Sequence, residues 1–222
     1  MAEIIPAVLA ETFEDIEKTL ESFVGLTKVV HLDVCDGRFV PSKTWPYREG
    51  DEEQFEKIVS EAEGLPFWQE FDYEIHLMVL SPEIVVPKWI SAGASRIIVH
   101  EEAVQDFSLI ENGAGQGIEM GVAIDLQTSP ESLDRLHGKF DFIQCMAIRE
   151  VGHQGQQFEP AVFEKLRTLT KIRPLKTLSV DGGVNRENAK ALIEAGAHRL
   201  VIGSAITRSG DIAESISYFK SL

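Results

Sequence analysis

Strand-sized runs of β-branched and other apolar residues recur along this chain, and a segment with helical character follows each of them. Eight such runs lie at residues 4–9, 29–33, 73–79, 96–100, 120–126, 142–148, 175–181 and 199–203. Most of the intervening segments are only long enough for one helix and short turns. This alternation predicts parallel strands covered by helices. Eight repeats predict one (β/α)8 TIM barrel, with residues 1–222 forming a single domain.

Helix boundary signals agree with this alternation. Thr12 precedes a helical pattern, Pro82 and Pro130 stand at early helix positions, and Gly93 and Gly196 follow helical patterns as expected of C-terminal caps. An open doubly wound sheet also alternates strands and helices. No Gly-x-Gly-x-x-Gly follows the first strand, however, so a dinucleotide site of that kind is disfavoured.

Two connections are longer than the others, and both follow the carboxyl end of a strand. The second-strand loop covers about residues 34–50 and the sixth-strand loop about residues 149–158. In a (β/α)8 barrel these strand ends form the face that carries chemistry, and long loops there are usually lids or binding loops. We therefore expect a ligand site at this end.

Charge and composition restrict the partners. With 21 Lys and Arg against 36 Asp and Glu, the net charge is −15, which repels nucleic acid and anionic membrane surfaces. Neither an apolar run long enough to cross a bilayer nor a targeting pattern is present, so we expect a cytoplasmic protein with no membrane partner. Cys35 and Cys145 form no Cys-x-x-Cys motif, and we expect both to be core or wall residues.

Four residues of metal-ligand type fall at strand ends. His31 and Asp33 close the second strand, His76 lies in the third, and Asp181 ends the seventh. Side chains alternate along a strand, so His31 and Asp33 project together. Two imidazoles and two carboxylates at one barrel end predict a site for one divalent ion such as Zn, Fe(II), Mn or Co.

The remaining histidines receive other interpretations. His100 and Glu101 end the fourth strand, and we expect His100 in the wall of the site or behind its ligands. His137 and His198 fall near a helix end and a strand start, so we assign them no role.

Glycines after two late strands indicate an anion site. Glycine lets backbone N–H groups approach a phosphate, and the ends of the seventh and eighth strands are the usual phosphate position in such barrels. The sixth-strand loop is a third, flexible candidate that could close over a ligand. The candidate substrate- and phosphate-binding residues are Gly152, His153, Gln154, Gly155, Gly182, Gly183, Gly203 and Ser204.

Taken together, these motifs resemble those of the ribulose-phosphate 3-epimerase family over nearly the whole chain. The resemblance rests on residues 31–41 (HLDVCDGRFVP), 75–79 (IHLMV), 180–184 (VDGGV) and 203–205 (GSA). It implies a metal-dependent barrel isomerase of carbohydrate metabolism in the pentose phosphate pathway. The implied reaction interconverts D-ribulose 5-phosphate and D-xylulose 5-phosphate by inversion at C3, and the implied assembly is a homo-oligomer.

The resemblance also implies residue roles. Asp33 and Asp181 would be the acid/base pair as well as metal ligands, beside His31 and His76. Family members place sulfur side chains around the ene-diolate intermediate. Met78 and Met146 match two of those positions, and Cys35 stands where a third methionine is usual.

Several substrate-facing positions depart from the family pattern. Ala7 replaces a serine usual in the first strand, and Ser42 replaces an asparagine. The sixth-strand loop, usually Pro-Gly-Phe-Gly-Gly-Gln, reads VGHQGQ at residues 151–156. These changes leave two alternatives open: a 3-epimerase of another phosphorylated ketose, such as a hexulose 6-phosphate, and a non-catalytic barrel that binds a sugar phosphate.

Overall fold

The chain forms a closed barrel of eight parallel strands, which confirms the predicted (β/α)8 fold. The computed structural model describes residues 2–106, 108, 117–136 and 139–222. Each strand pairs with the next one along the chain, and the eighth pairs with the first. The strands are β1 (Glu3–Leu9), β2 (Val29–Cys35), β3 (Asp72–Met78), β4 (Ala94–His100), β5 (Glu119–Ile124), β6 (Phe142–Met146), β7 (Thr177–Asp181) and β8 (Arg199–Ile202).

Helices cover the outside of the barrel. The α-helices are α1 (Phe13–Glu21), α2 (Glu52–Val59), α3 (Val86–Ser91), α4 (Val162–Ile172), α5 (Ala189–Glu194), α6 (Ser204–Thr207) and α7 (Ile212–Lys220), and 3-10 helices cover Pro82–Ile84 and Pro130–Leu136. Within the described ranges, no helix is long and apolar enough to cross a membrane. His137 lies outside the described residues.

The first helix shows how local sequence sets these elements. The Thr12 side chain accepts a hydrogen bond from the Asp15 backbone N–H, which caps the start of α1. Ile16 and Leu20, one helical turn apart, are buried against the barrel. The cap and the apolar stripe therefore fix both where this helix begins and which side faces inward.

Two predicted elements differ from the structure. The segment with Pro130 at an early position forms a 3-10 helix rather than an α-helix. The seventh strand begins at Thr177 and not at Leu175, whose side chain is 97% exposed. Leu175 therefore contributes no buried surface, although its residue type matches a strand. The positive φ angles of Gly93 and Gly196 agree with their predicted places after helices.

The barrel interior divides into layers along its axis. At the amino ends of the strands, Arg96 and Arg199 pair with carboxylates; the Arg96–Glu3 and Arg199–Glu119 distances are 3.1 and 2.8 Å. Phe142 fills the apolar middle layer, where a Cβ on Gly121 would lie 2.4 Å from its ring. This packed interior leaves the carboxyl ends of the strands as the place where a ligand site can open.

Candidate active site

Four side chains of metal-ligand type meet at the carboxyl ends of β2, β3 and β7. His31 and Asp33 alternate with Leu32, so both point into the barrel, and Asp33 lies opposite His76 in the β2–β3 register. One ligand atom from each of His31, Asp33, His76 and Asp181 lies within 4.8 Å of all the others. Pairing of β2 with β3 brings the first three side chains together, and closure of the barrel brings Asp181 on β7 to the same end.

The nitrogen and oxygen atoms of this cluster point toward one another. Asp33 Oδ1 lies 3.2 Å from His31 Nε2 and 2.9 Å from His76 Nδ1. Asp181 Oδ2 lies 4.0 and 3.5 Å from the same two nitrogens. Two imidazole nitrogens and two carboxylates, converging in this way, fit the ligand set of one borderline divalent ion.

The other ring nitrogens of the two histidines have buried partners. His31 Nδ1 lies 2.8 Å from Glu74 Oε1, and Glu74 in turn lies 3.4 Å from Arg96. His76 Nε2 lies 3.0 Å from His100 Nε2. We predicted His100 in the wall or behind the ligands, and the structure places it directly behind His76.

The two carboxyl groups have opposite pKa shifts. Burial tends to raise the pKa of Asp33, but hydrogen bonds with His31 and His76 outweigh it and hold that pKa well below its usual range. Burial, together with the nearby charge of Asp33, raises the pKa of Asp181 to about 7. Near neutral pH, therefore, Asp33 is ionised while Asp181 is close to the midpoint of its titration and can carry a proton.

The pKa values of the three buried imidazoles are also shifted in different directions. Burial lowers the pKa of His76 to about 4 despite its bond to Asp33. For His31, the bonds to Asp33 and Glu74 outweigh burial and raise the pKa well above its usual value. For His100, Asp125 and Glu102 likewise outweigh burial and raise the pKa to about 9.

Sulfur-bearing side chains stand beside the two aspartates. Met78 and Met146 line the same cavity as Asp33 and Asp181. Cys35 packs with Val40 and Met78 beside the cavity, and burial raises the pKa of its thiol far above the usual value. Met78 and Met146 therefore give the cavity uncharged, polarizable atoms, whereas Cys35 packs behind Met78 and is not among the lining residues.

The sixth-strand loop closes over this cavity. Gly152 is buried, and a Cβ on it would lie 2.9 Å from Val40 Cγ2. Gln154 Nε2 donates to the Ala7 carbonyl oxygen at 3.4 Å, and Ser42 Oγ lies 3.0 Å from His153 Nε2. Four positions that depart from the family pattern, Ala7, Ser42, His153 and Gln154, thus contact one another in these two pairs.

The glycines after β7 and β8 line the same cavity and pack against the sixth-strand loop. A Cβ on Gly183 would lie 2.8 Å from Phe158 Cα, and one on Gly203 would lie 2.8 Å from Gln154 Nε2. A side chain at either position would collide with the sixth-strand loop, so the packing of this loop requires glycine here. The predicted binding residues that line the cavity with Asp33 and Asp181 are Gly152, His153, Gln154, Gly155, Gly182, Gly183, Gly203 and Ser204.

Sequence reasoning missed several residues around the site. Glu74 and Gln144 lie two positions before His76 and Met146 on their strands, and Gln144 Nε2 donates to Asp181 Oδ2 at 3.2 Å. Strand alternation could have identified both as inward-facing. Glu101 pairs with Arg135, while Glu102 faces His100, a distinction that depends on the turn after β4. His198 accepts a hydrogen bond from the Leu178 backbone N–H, away from the site.

Comparisons with known proteins match the whole barrel. A family model described as "Ribulose-phosphate 3 epimerase family" matches residues 3–207. Ribulose-phosphate 3-epimerase of Bacillus subtilis is 30% identical over 234 residues, covering 98% of this chain and 97% of the relative. The Schizosaccharomyces pombe protein of the same name is 30% identical over 219 residues, covering 97% and 91%.

A solved structure supports the fold. The 3-hexulose-6-phosphate synthase of Salmonella typhimurium superposes with a TM-score of 0.69, covering 99% of this chain and 97% of that chain. At 17% sequence identity this likeness shows the barrel fold alone.

The fold and the site define a (β/α)8-barrel protein with a histidine–carboxylate cluster at the carboxyl ends of its strands. The full-length family match makes the assignment specific. The chain belongs to the ribulose-phosphate 3-epimerase family, as its motifs predicted, and the predicted isomerase class is confirmed with it.

Proposed function

We propose that this protein is a metal-dependent 3-epimerase that interconverts D-ribulose 5-phosphate and D-xylulose 5-phosphate. The observation that carries the proposal is the pair of aspartates. Asp33 and Asp181 reach one cavity from β2 and β7, and their pKa values are shifted in opposite directions. Such a pair supplies one proton acceptor and one proton donor at neutral pH.

Inversion at C3 requires proton transfer on both faces of that carbon. In one direction, the ionised Asp33 takes the C3 proton and an ene-diolate forms. Asp181 then gives its proton to the opposite face of C3, which restores the ketose with inverted configuration. In the reverse direction the two carboxyl groups exchange roles, because each ends one turnover in the protonation state with which the other began.

One divalent ion would be held by His31 Nε2, His76 Nδ1 and one carboxyl oxygen each from Asp33 and Asp181, and the other oxygen of each group would remain available for the proton. When bound, it would stabilise the negative charge of the ene-diolate. Glu74 orients His31 through the 2.8 Å contact to its Nδ1. Zn, Fe(II), Mn and Co all suit this ligand set, so the proposal names one divalent ion and not a particular element.

The rest of the cavity fits a small phosphorylated sugar. Backbone N–H groups at Gly182, Gly183, Gly203 and Ser204 would hold the phosphate, and the sixth-strand loop would cover the substrate. Met78 and Met146 would exclude water from the reacting carbon. Three further features stay predictions: residues 1–222 form one domain, the protein is a homo-oligomer, and it is located in the cytoplasm.

One observation favours a second candidate substrate. Gln154 stands where the family pattern has a glycine, and its side chain contacts the Ala7 carbonyl oxygen and lies against Gly203, so it changes the contacts next to the proposed phosphate position. A different phosphorylated ketose, such as a hexulose 6-phosphate, would meet the same two aspartates with altered contacts. Specificity is then decided by relative kcat/KM values.

The test is proton NMR of the purified protein with a panel of ketose phosphates, before and after treatment with a chelator. We expect D-ribulose 5-phosphate to give D-xylulose 5-phosphate with the highest kcat/KM, no conversion after chelation, and recovery when a divalent ion is added. A higher kcat/KM for a hexulose 6-phosphate would favour the second candidate. Full activity after chelation would contradict the metal-dependent mechanism, and no conversion of any sugar phosphate would favour a binding protein.

A further inference from the structure

A third histidine, His100, lies immediately behind the metal-type cluster. It is fully buried on the inner side of β4, and its Nε2 lies 3.0 Å from His76 Nε2. The Phe39 ring packs against it with a centroid distance of 4.9 Å. The proposed reaction assigns His100 no role, although it directly contacts a residue assigned as a metal ligand.

A short contact between two imidazole nitrogens requires one of them to carry the hydrogen and the other to accept it. His76 Nδ1 faces Asp33 and Asp181, so this is the nitrogen that would offer its lone pair to an ion. A neutral imidazole that binds through Nδ1 carries its hydrogen on Nε2. When an ion is bound, His100 Nε2 must therefore be the acceptor, and the hydrogen of His100 must be on Nδ1.

The surroundings of His100 Nδ1 suit that arrangement. This nitrogen is buried without a hydrogen-bond partner among the described residues, and two carboxylate oxygens, Glu102 Oε2 and Asp125 Oδ1, each lie 3.4 Å from it, close enough to favour a hydrogen on Nδ1 electrostatically. The Asp125 backbone N–H donates to Glu102 Oε1 at 2.9 Å. The buried Lys165 ammonium donates to the Asp125 and Thr128 carbonyl oxygens, which holds this turn in place.

We propose that His100, oriented by Glu102 and Asp125, is a positioning residue that keeps the hydrogen of His76 on Nε2 and its Nδ1 lone pair directed at the metal site. The inference rests on the proposed function, in which His76 is a ligand. Outer hydrogen bonds of this kind orient metal ligands and increase their basicity. His31 has a carboxylate partner, Glu74, whereas His76 reaches its carboxylates through a second imidazole.

The same geometry bears on a second ion. His100, Glu102 and Asp125 also bring three ligand atoms within 4.8 Å of one another. If His100 Nδ1 gave its lone pair to an ion, both facing Nε2 atoms would carry hydrogens at 3.0 Å while His76 bound the first ion. Occupancy of both clusters is thereby disfavoured, and the protein binds one equivalent of metal.

Nitrogen NMR of the Zn-loaded protein, with 15N-labelled histidine, tests the proton arrangement directly. We expect one equivalent of Zn to bind, His100 Nε2 to have the chemical shift of an unprotonated acceptor, and His100 Nδ1 to carry a proton. A proton on His100 Nε2, or a second equivalent of Zn on His100 Nδ1, would overturn the proposal.

Metal affinity tests the role independently. His100→Phe removes the acceptor but retains a planar ring, and we expect the Kd for Zn to rise about 10- to 100-fold. The double variant Glu102→Gln, Asp125→Asn should raise the Kd for Zn by a smaller factor. Adding these two substitutions to His100→Phe should not raise the Kd further, because the three residues act through the same contact. Glu101→Gln is the matched control, because this buried neighbour faces Arg135 instead, and its Kd should equal that of the wild type.

The outcomes separate the two proposals. If the wild type binds Zn while His100→Phe and the double carboxylate variant bind it equally well, the positioning role is wrong and the metal centre stands. If the wild type binds no divalent ion, both are wrong. Should His100→Phe not fold, as judged by circular dichroism and thermal unfolding, the double carboxylate variant decides the question.

Discussion

Asp33 and Asp181 carry the same side chain but have opposite pKa shifts, and the difference comes from their neighbours. Asp33 lies within hydrogen-bond distance of two imidazoles, at 3.2 and 2.9 Å, while Asp181 lies further from both. Burial without an equal number of close partners favours the protonated form of Asp181. The contrast is thus a property of position within the barrel, and it assigns a proton donor and a proton acceptor to particular residues.

Replacing either aspartate tests those assignments. Asp33→Asn and Asp181→Asn should each lower kcat at least about 1000-fold, because an amide cannot accept or deliver the C3 proton. The rate is measured at saturating divalent ion, with metal content determined separately, so that lost binding is not mistaken for lost chemistry. A variant that retains a tenth of the wild-type kcat with full metal occupancy would remove that residue from the acid/base pair.

The raised pKa of Asp181 also predicts a stability effect in the metal-free protein. From the ordinary value of 3.8 up to about 7, the folded protein holds a proton that the unfolded chain has released, so this group's contribution to stability falls as pH rises. Asp181→Asn removes the buried charge. It should increase the free energy of unfolding at pH 8 by about 1 to 2 kcal/mol, and by less at pH 5.

Urea unfolding in the presence of a chelator measures this effect. Adding a divalent ion should reverse the order of stability, because the wild type gains binding energy that the variant lacks. Equal stabilisation at both pH values would show that the charge of Asp181 is not the cause.

At the residue level, the sequence predicted which residues come together but not how they interact. His31, Asp33, His76 and Asp181 could be placed at one barrel end because strand ends and alternation are visible in the pattern. The direction of each imidazole nitrogen was not visible. It depends on buried partners such as Glu74 and His100, which are reached only across strand pairs.

Among the elements, the sixth-strand loop combines an altered sequence with contacts to two other parts of the barrel end. It packs on the second-strand loop through Gly152 and Val40, and it reaches β1 through Gln154. The backbone at Gly152 has a φ of 88°, a conformation that residues with a side chain rarely adopt. Closure of the cavity therefore depends on a glycine at this position.

Gly152→Ala should displace the loop, because the added Cβ would lie 2.9 Å from Val40 Cγ2. We expect KM for the sugar phosphate to rise about tenfold or more, since small misplacements of binding groups cost binding and rate. The matched control is Gly25→Ala, whose φ of 76° imposes similar backbone strain but whose Cβ would meet no atom within 4 Å. Steady-state kinetics should show an unchanged KM for the control; a comparable increase in both variants would attribute the effect to strain alone.

The barrel elements were predictable because strand and helix patterns differ in period, and all eight strands were found near their observed bounds. Two segments differ from their predicted structure. The Pro130 segment forms a 3-10 helix, and Leu175 is exposed ahead of β7. The loop contacts that close the cavity could not be derived, because Ser42–His153 and Gln154–Ala7 pair residues more than one hundred positions apart.

For the molecule as a whole, metal binding and protonation compete for the same buried groups. His31 and His100 both have raised pKa values, so each imidazole holds a proton at a pH where an isolated histidine side chain has already begun to lose it. An ion can occupy the site only as protons leave it. Affinity for a divalent ion should therefore rise with pH between about 6 and 8, by about tenfold per unit for each proton released.

Calorimetric titration in buffers of different ionisation enthalpy counts those protons. At least one proton should be released per ion bound at pH 7, and the increase in Tm caused by the ion should be larger at pH 8 than at pH 6. An affinity that does not change over this range would mean that the raised pKa values are not coupled to the metal site.

The central claim is that two carboxylates invert C3 of a ketose phosphate by proton transfer on opposite faces. Proton NMR of D-ribulose 5-phosphate in D2O with the metal-loaded protein tests it most directly. We predict that D-xylulose 5-phosphate carries deuterium at C3 from its first appearance, and that both exchange and product disappear on chelation. Product that retains its original hydrogen at C3 throughout the reaction would contradict the account.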